Sequence, residues 1–351
     1  MKGESTIKKI HIEILRIVAI FLVMFNHTST SGFQYYTTLD FSVSYIVCAL
    51  CSVFCKVAVP IFLMISGALI LNKDYSFKEL LIKIIRILIV LLVISLFYYL
   101  QSIQLRQFDI VLFFKTLYSD QIIVPLWYLY AYISFLIMVP FLRILVKNMT
   151  EQHYIYLLSI AIIFGIGREI FSAFTGLWTN SNLAILLINS IIYYPLLGYY
   201  IENIIDMSLI KKRQIIVSIV ILLVSGYISV ILNYNQIQQT RNILDQSYLA
   251  TCSYIQAPII YIIIKWISGN VNNFNNHFIL SKFIYLIGSA TFGLYLFDEF
   301  LRTIIYWKIF TIISPFINII FACFISIICC ILLGTPIILI IKKIPLLKKL
   351  I

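Results

Sequence analysis

Arg16 and His27 stand eleven positions apart in the first apolar segment of the chain. At about 100° and about 1.5 Å per residue, eleven steps make nearly three helical turns, so the two groups share one face roughly 16 Å apart. Ionisable side chains inside a bilayer are costly and are retained mainly where they serve a pathway, a proton relay or a catalytic centre. Imidazole titrates near neutrality, which suits His27 to take a proton from a hydroxyl and return it. Glu13 lies one turn before Arg16. The two read either as a structural pair at the membrane boundary or as part of the same functional stripe.

Further along, Lys83 and Arg86 lie one turn apart. Two cations at that spacing suit the phosphates of a nucleotide-bearing donor, and equally suit basic anchors that snorkel to a helix end. The run Val59-Pro60-Ile61-Phe62-Leu63-Met64-Ile65-Ser66-Gly67 places Pro early and a Ser-Gly pair late, which predicts a kinked helix with close neighbours. Lys56, near the middle of the same apolar stretch, fits either a carboxylate partner or a transport path. The seven cysteines lack metal-ligand spacing with histidine and read as small packing residues; no metal is expected.

The elements that must position these groups are membrane helices. The chain has 351 residues, 62% hydrophobic and only 11% charged, far from the usual soluble balance of roughly 45 to 50% apolar and about 25% charged. A span needs about 20 apolar residues. Ten stretches qualify on this reading: 11–30, 44–71, 80–101, 124–146, 154–171, 183–202, 214–232, 248–267, 283–305 and 314–341. The expected fold is an all-α, polytopic transmembrane bundle in one domain over residues 1–351, with no soluble domain and no internal repeat. The basic N-terminus runs into the first apolar stretch without a small-residue cleavage site, which reads as a retained helix.

With that count, the outer segments hold only Arg106, Lys115, Arg168, Arg241, Arg302 and Lys308, and nearly all other Lys and Arg fall inside. The bias places both termini in the cytoplasm. It also accounts for the net charge of +12 as topology and anionic-lipid contact, which disfavours a nucleic-acid partner. The longest polar connections are expected at 102–123, 233–247 and 268–282, the last holding an Asn-rich run from Asn270 to His277.

Ile12-Glu13-Ile14-Leu15-Arg16-Ile17-Val18-Ala19, ending in Asn26-His27, resembles the first helix of the acyltransferase 3 family of integral membrane acyltransferases. The resemblance continues through residues 59–67, the pair Lys83 and Arg86, Leu126-Trp127-Tyr128-Leu129, Leu197-Gly198-Tyr199-Tyr200 and Phe292-Gly293-Leu294-Tyr295-Leu296. Each motif is short, but together they run in order over nearly the whole chain. Glu13 stands where the family usually has Asp, and Asp298 where it often has His.

The resemblance implies an acyl-CoA donor, most often acetyl-CoA, and a hydroxyl of a cell-surface glycan or its lipid-linked precursor as acceptor, at a bacterial plasma membrane. CoA is polyanionic and cannot leave water cheaply. Its nucleotide is therefore assigned to Lys73, Lys78, Lys83 and Arg86, with Ser66 beside them, while Arg16 binds phosphate or carbonyl oxygen. His27 is assigned as general base. Asp298 either orients His27 as the carboxylate of a dyad or, with Glu299, meets Arg302 at a water-facing helix end. Trp127, Tyr128 and Tyr295 are assigned to an aromatic surface for the sugar. Oligomeric state stays open, a homodimer included. A transporter or flippase for a polysaccharide unit is the alternative class; an extracytoplasmic glycosyltransferase is a third, for which only Asp40 stands in the first outer loop.

Overall fold

The structure, a computed structural model, describes residues 9–102, 108–177, 180, 183, 185–270 and 278–344. Among these the regular structure is helical, without strands. Residues 271–277 of the Asn-rich run, and Lys2, Lys8, Arg106, Lys348 and Lys349, lie outside the described residues.

Seven stretches of the described chain are long and apolar enough to cross a membrane: Val43–Ile70, Phe77–Ser102, Val124–Asn148, Glu151–Thr175, Lys212–Thr240, Ile279–Leu296 and Ile319–Ile341. The sequence counted ten. The other three fall on α1 (Ile10–Asn26), α9 (Ser190–Asn203) and α11 (Ser253–Asn270). These are central helices, covered by protein rather than lipid, so they need neither full length nor unbroken apolarity. No residue of α1 is exposed, and α11 carries the buried Gln256 and the half-buried Lys265.

The stretch Val43–Ile70 is two helices, α2 (Val43–Cys55) and α3 (Ala58–Ile70). The kink expected at Pro60 falls earlier, at Lys56 and Val57. Pro60 occupies the first turn of α3, where its missing N–H leaves nothing unbonded. The expected span 283–305 breaks at Phe297, between α12 (Phe278–Leu296) and α13 (Asp298–Leu301), which passes through a π-helical turn (Arg302–Tyr306) into α14 (Trp307–Ile313). The expected connection at 102–123 contains a further helix, α5 (Ile110–Ser119). Its apolar Val111, Leu112 and Phe114 are exposed, as in a helix lying at a membrane interface. The connection placed at 233–247 starts only after Thr240, where α10 (Lys212–Thr240) ends.

Around the central group stand α4 (Phe77–Ser102), α6 (Trp127–Asn148), α7 (Glu151–Ile160) continuing into α8 (Arg168–Thr175), α10 and α15 (Ile319–Ile341). Exposed Leu88 and Leu92 on α4, Ile219 and Val220 on α10, and Ile328 and Leu332 on α15 give this ring a lipid-compatible surface. Within it, α3 lies against α9 at backbone distance. A Cβ on Gly67 would sit 2.1 Å from the Pro195 carbonyl oxygen, and one on Gly198 2.0 Å from that of Met64. Apolar burial does not drive helices together in lipid, so close van der Waals approach of small residues does. That gives a packing reason for the glycines in two of the sequence motifs.

One end of the bundle is tied by charge. Buried Glu202 of α9 takes Lys9 Nζ at 2.6 Å, His11 Nε2 at 3.0 Å and the Tyr261 hydroxyl at 3.1 Å, joining α1, α9 and α11. Lys342 donates to the Ser289 carbonyl at 2.6 Å, which brings the end of α15 to the same end of the bundle as the start of α1.

Candidate active site

His27 immediately follows α1, and the sequence explains why the helix stops there. The next hydroxyls turn back on the backbone, Thr28 Oγ1 to the Phe25 carbonyl at 2.7 Å and Ser31 Oγ to that of Thr28 at 2.6 Å, offering carbonyls a partner other than the helix ladder. The imidazole is thereby held at a fixed helix end. Its Nδ1 lies 2.6 Å from Asp298 Oδ2. An ionised carboxylate only accepts, so a neutral imidazole in this pairing carries its hydrogen on Nδ1 and leaves Nε2 its lone pair.

Asp298 is available because the break at Phe297 puts it at the first position of a new helix. Its side chain is fully buried, a costly placement unless the charge is paired. Arg302, one turn on, supplies that partner, with Nε 3.5 Å from Asp298 Oδ2. The same guanidinium donates to the His27 carbonyl and to Glu299. Asp298 therefore faces His27 and lies beside Arg302, at a buried helix end rather than the water-facing one of the second reading. Arg302 also satisfies an orphan carbonyl at the end of α1 and so fixes the imidazole from a second side.

His27 lines a cavity of about 480 Å³ whose walls include Asn26, Lys56, Phe62, Trp127, Tyr128, Thr251, Ser253 and Tyr295. A second cavity, of about 420 Å³, is lined by Arg16, Phe62, Ser66, Lys83, Arg86, Tyr128, Tyr132, Thr291 and Tyr295 among others. Phe62, Tyr128 and Tyr295 belong to both walls, so three aromatic side chains form the partition between them. Tyr128 meets Tyr295 edge to face with centroids 5.6 Å apart, and Phe62 at 6.0 Å. The Tyr295 hydroxyl donates to the Pro125 carbonyl at 2.7 Å, which anchors one leaf of the partition to the start of the Val124–Asn148 stretch.

In the second cavity Arg16 Nη1 donates to Glu13 Oε1 at 2.9 Å, and Arg16 remains partly exposed while Glu13 is buried. Glu13 in turn rests against Gly288 of α12, where a Cβ would come within 2.2 Å of Oε2. Lys83 lies over the Tyr75 ring at 4.5 Å. Ser66 donates to the Phe62 carbonyl of its own helix at 2.8 Å.

Of the residues singled out in the sequence, the structure gathers His27 and Asp298 into one pair. Arg16, Ser66, Lys83 and Arg86 come to one cavity, Trp127 to the other, and Tyr128 and Tyr295 to the partition. Lys73 and Lys78 are exposed and line neither cavity. Sequence reasoning missed Phe62 and Asn26, although both stand inside motif segments it quoted. It also missed Thr251 and Ser253, which carry no local signal because the wall they join is assembled from distant helices.

A family model described as an acyltransferase domain matches residues 10–335. No curated protein and no solved structure matches the chain. The matched span takes in both cavities, the aromatic partition and the His27–Asp298 pair, and the chain belongs to the acyltransferase 3 family: it is a membrane acyltransferase.

Proposed function

We propose that this enzyme moves an acyl group, acetyl foremost, from cytosolic acyl-CoA to a hydroxyl of a cell-surface polysaccharide or its lipid-linked precursor, at a bacterial plasma membrane. The observation that carries the reading is the back-to-back pair of cavities, one lined by Arg16, Lys83 and Arg86 and the other by His27, with one aromatic wall between them.

CoA phosphates are held at the basic cavity by Lys83 and Arg86. The pantetheine arm carries the thioester past Arg16 and through the partition, whose side chains move to admit it. In the other cavity His27 Nε2 takes the acceptor hydroxyl's proton as that oxygen attacks the thioester carbonyl carbon. The C–S bond then breaks, and the imidazolium returns the proton to the leaving thiolate. Asp298 holds the imidazole in the required tautomer and offsets its transient charge. Trp127 and the partition tyrosines offer faces for a sugar ring.

Purified protein given acetyl-CoA and candidate glycans is expected to release free CoA. His27→Ala and Arg16→Ala should each abolish release in protein that still folds, with Arg16→Ala lowering the thermal midpoint because it strips buried Glu13 of its cation. Absence of CoA release by the unaltered protein with any glycan would refute the reading.

A further inference from the structure

Lys56 is a cation of the His27 cavity for which the chemistry above has no use. It stands at the break between α2 and α3, half-buried, and lines that cavity. Its ammonium donates to Asn26 Oδ1 at 3.2 Å and Gln246 Oε1 at 3.1 Å, and it lies 4.4 Å from the centre of the Phe33 ring. These groups orient a cation without neutralising it. Among the described residues no carboxylate oxygen lies within 4.0 Å of it. The acidic groups nearby are already engaged: Asp298 by His27 and Arg302, Glu299 by Arg302, and Glu169, on the same cavity wall, by Arg168 at 2.8 Å. The Asp245 carboxylate, next to Gln246, accepts from Gln236 and Ser247.

A partly desolvated ammonium without a counter-ion is costly, and in a membrane protein such groups face an interior path or a ligand. The same wall holds a polar group that lacks a hydrogen-bond partner. The Thr251 hydroxyl is buried and makes no hydrogen bond among the described residues. A ligand bearing both a negative charge and hydroxyls would satisfy both groups. Asn26 immediately precedes His27, so an anion held at Lys56 is anchored beside the imidazole.

We propose that the sugar bound in the His27 cavity is acidic, carrying a carboxylate or a phosphate that Lys56 grips while Thr251 takes a neighbouring hydroxyl. The inference rests on the acyl-transfer reading only in regarding that sugar as the acceptor.

Binding without acyl-CoA tests it. Calorimetry on the detergent-purified protein would compare a hyaluronan tetrasaccharide, which carries glucuronate carboxylates, N-acetylglucosamine 1-phosphate, and the neutral chitotetraose and N-acetylglucosamine. The tetrasaccharide or the sugar phosphate should bind about ten- to a hundredfold tighter than its neutral counterpart, the range of a charge-assisted hydrogen bond, and which of them does so identifies the anion. Lys56→Gln should remove that preference and Lys56→Arg should keep it. Equal binding of acidic and neutral sugars by the unaltered protein, binding of none of them, or a preference that survives Lys56→Gln would overturn the proposal. The comparison on the unaltered protein stands even if a variant fails to fold. A protein that binds acidic sugars through Lys56 yet releases no CoA would refute the transfer reading alone.

Discussion

At the scale of single residues, the proposed general base is a histidine held from two directions. Asp298 fixes its tautomer through Nδ1, and Arg302 fixes the backbone it hangs from. Asp298→Asn keeps shape but offers an amide where the carboxylate stood, so the imidazole loses both its tautomer preference and its counter-charge. The expected result is a fall in kcat of about 10²- to 10⁴-fold with KM for acyl-CoA little changed, measured as CoA release at saturating donor. Undiminished turnover would remove Asp298 from the mechanism. Asp298 was legible as a departure from the family motif, and His27 only as one of two candidate partners for it. His27 and Asp298 are 271 positions apart, and only a count of spans placed them at one depth.

At the scale of elements, helix contacts set by glycine govern where the charged groups point. Gly288 gives α12 the room to lie against Glu13. Its Cβ would meet both the carboxylate and the less movable Glu13 Cβ, at 2.8 Å, so Gly288→Ala must push α12 from α1. The cost is about 1 to 3 kcal/mol, read as a lowered thermal midpoint, and the displaced Arg16 should raise KM for acyl-CoA by roughly tenfold. Asp74, in the loop between α3 and α4, has a different role. Hydrogen bonds from Lys147 and Arg143 hold its carboxyl below the usual carboxylate range. A lowered folded-state pKa means that the tether is present above the ordinary carboxylate pKa and is lost only as pH falls through the lowered one. Amide protection in residues 71–76, taken relative to the intrinsic exchange rate at each pH, should therefore fall at acid pH in the native protein, and Asp74→Asn should show the lowered protection already at neutral pH. Periodicity and apolar length revealed most helices, whereas the breaks at Lys56–Val57 and Phe297 had no Pro or Gly at the break itself to announce them.

At the scale of the whole molecule, two cavities meet at a wall of three aromatic side chains. The arrangement separates a cavity lined by Arg16, Lys83 and Arg86 from one rich in hydroxyl and amide groups. Phe62→Ala removes one leaf. Acyl-CoA hydrolysis in the absence of a sugar should then rise several-fold, because water gains the path that the acyl group uses. Unchanged hydrolysis would mean that the partition does not gate the thioester. Nothing in the spacing of Phe62, Tyr128 and Tyr295 along the chain reveals that they touch, since each comes from a different helix.

By itself the sequence determined that the chain is a helical membrane protein, which family it belongs to, and that Arg16 and His27 share a face. Apolar length, charge placement and helical periodicity are local properties, written within one segment at a time. The tertiary structure alone decided that Asp298 faces His27, that the cations Arg16, Lys83 and Arg86 converge on one cavity, and that Lys56 is left among amide oxygens in the other. Those relations depend on how helices from distant parts of the chain pack against one another, through backbone contacts as close as that between Gly198 and Met64, and no one-dimensional pattern encodes that packing.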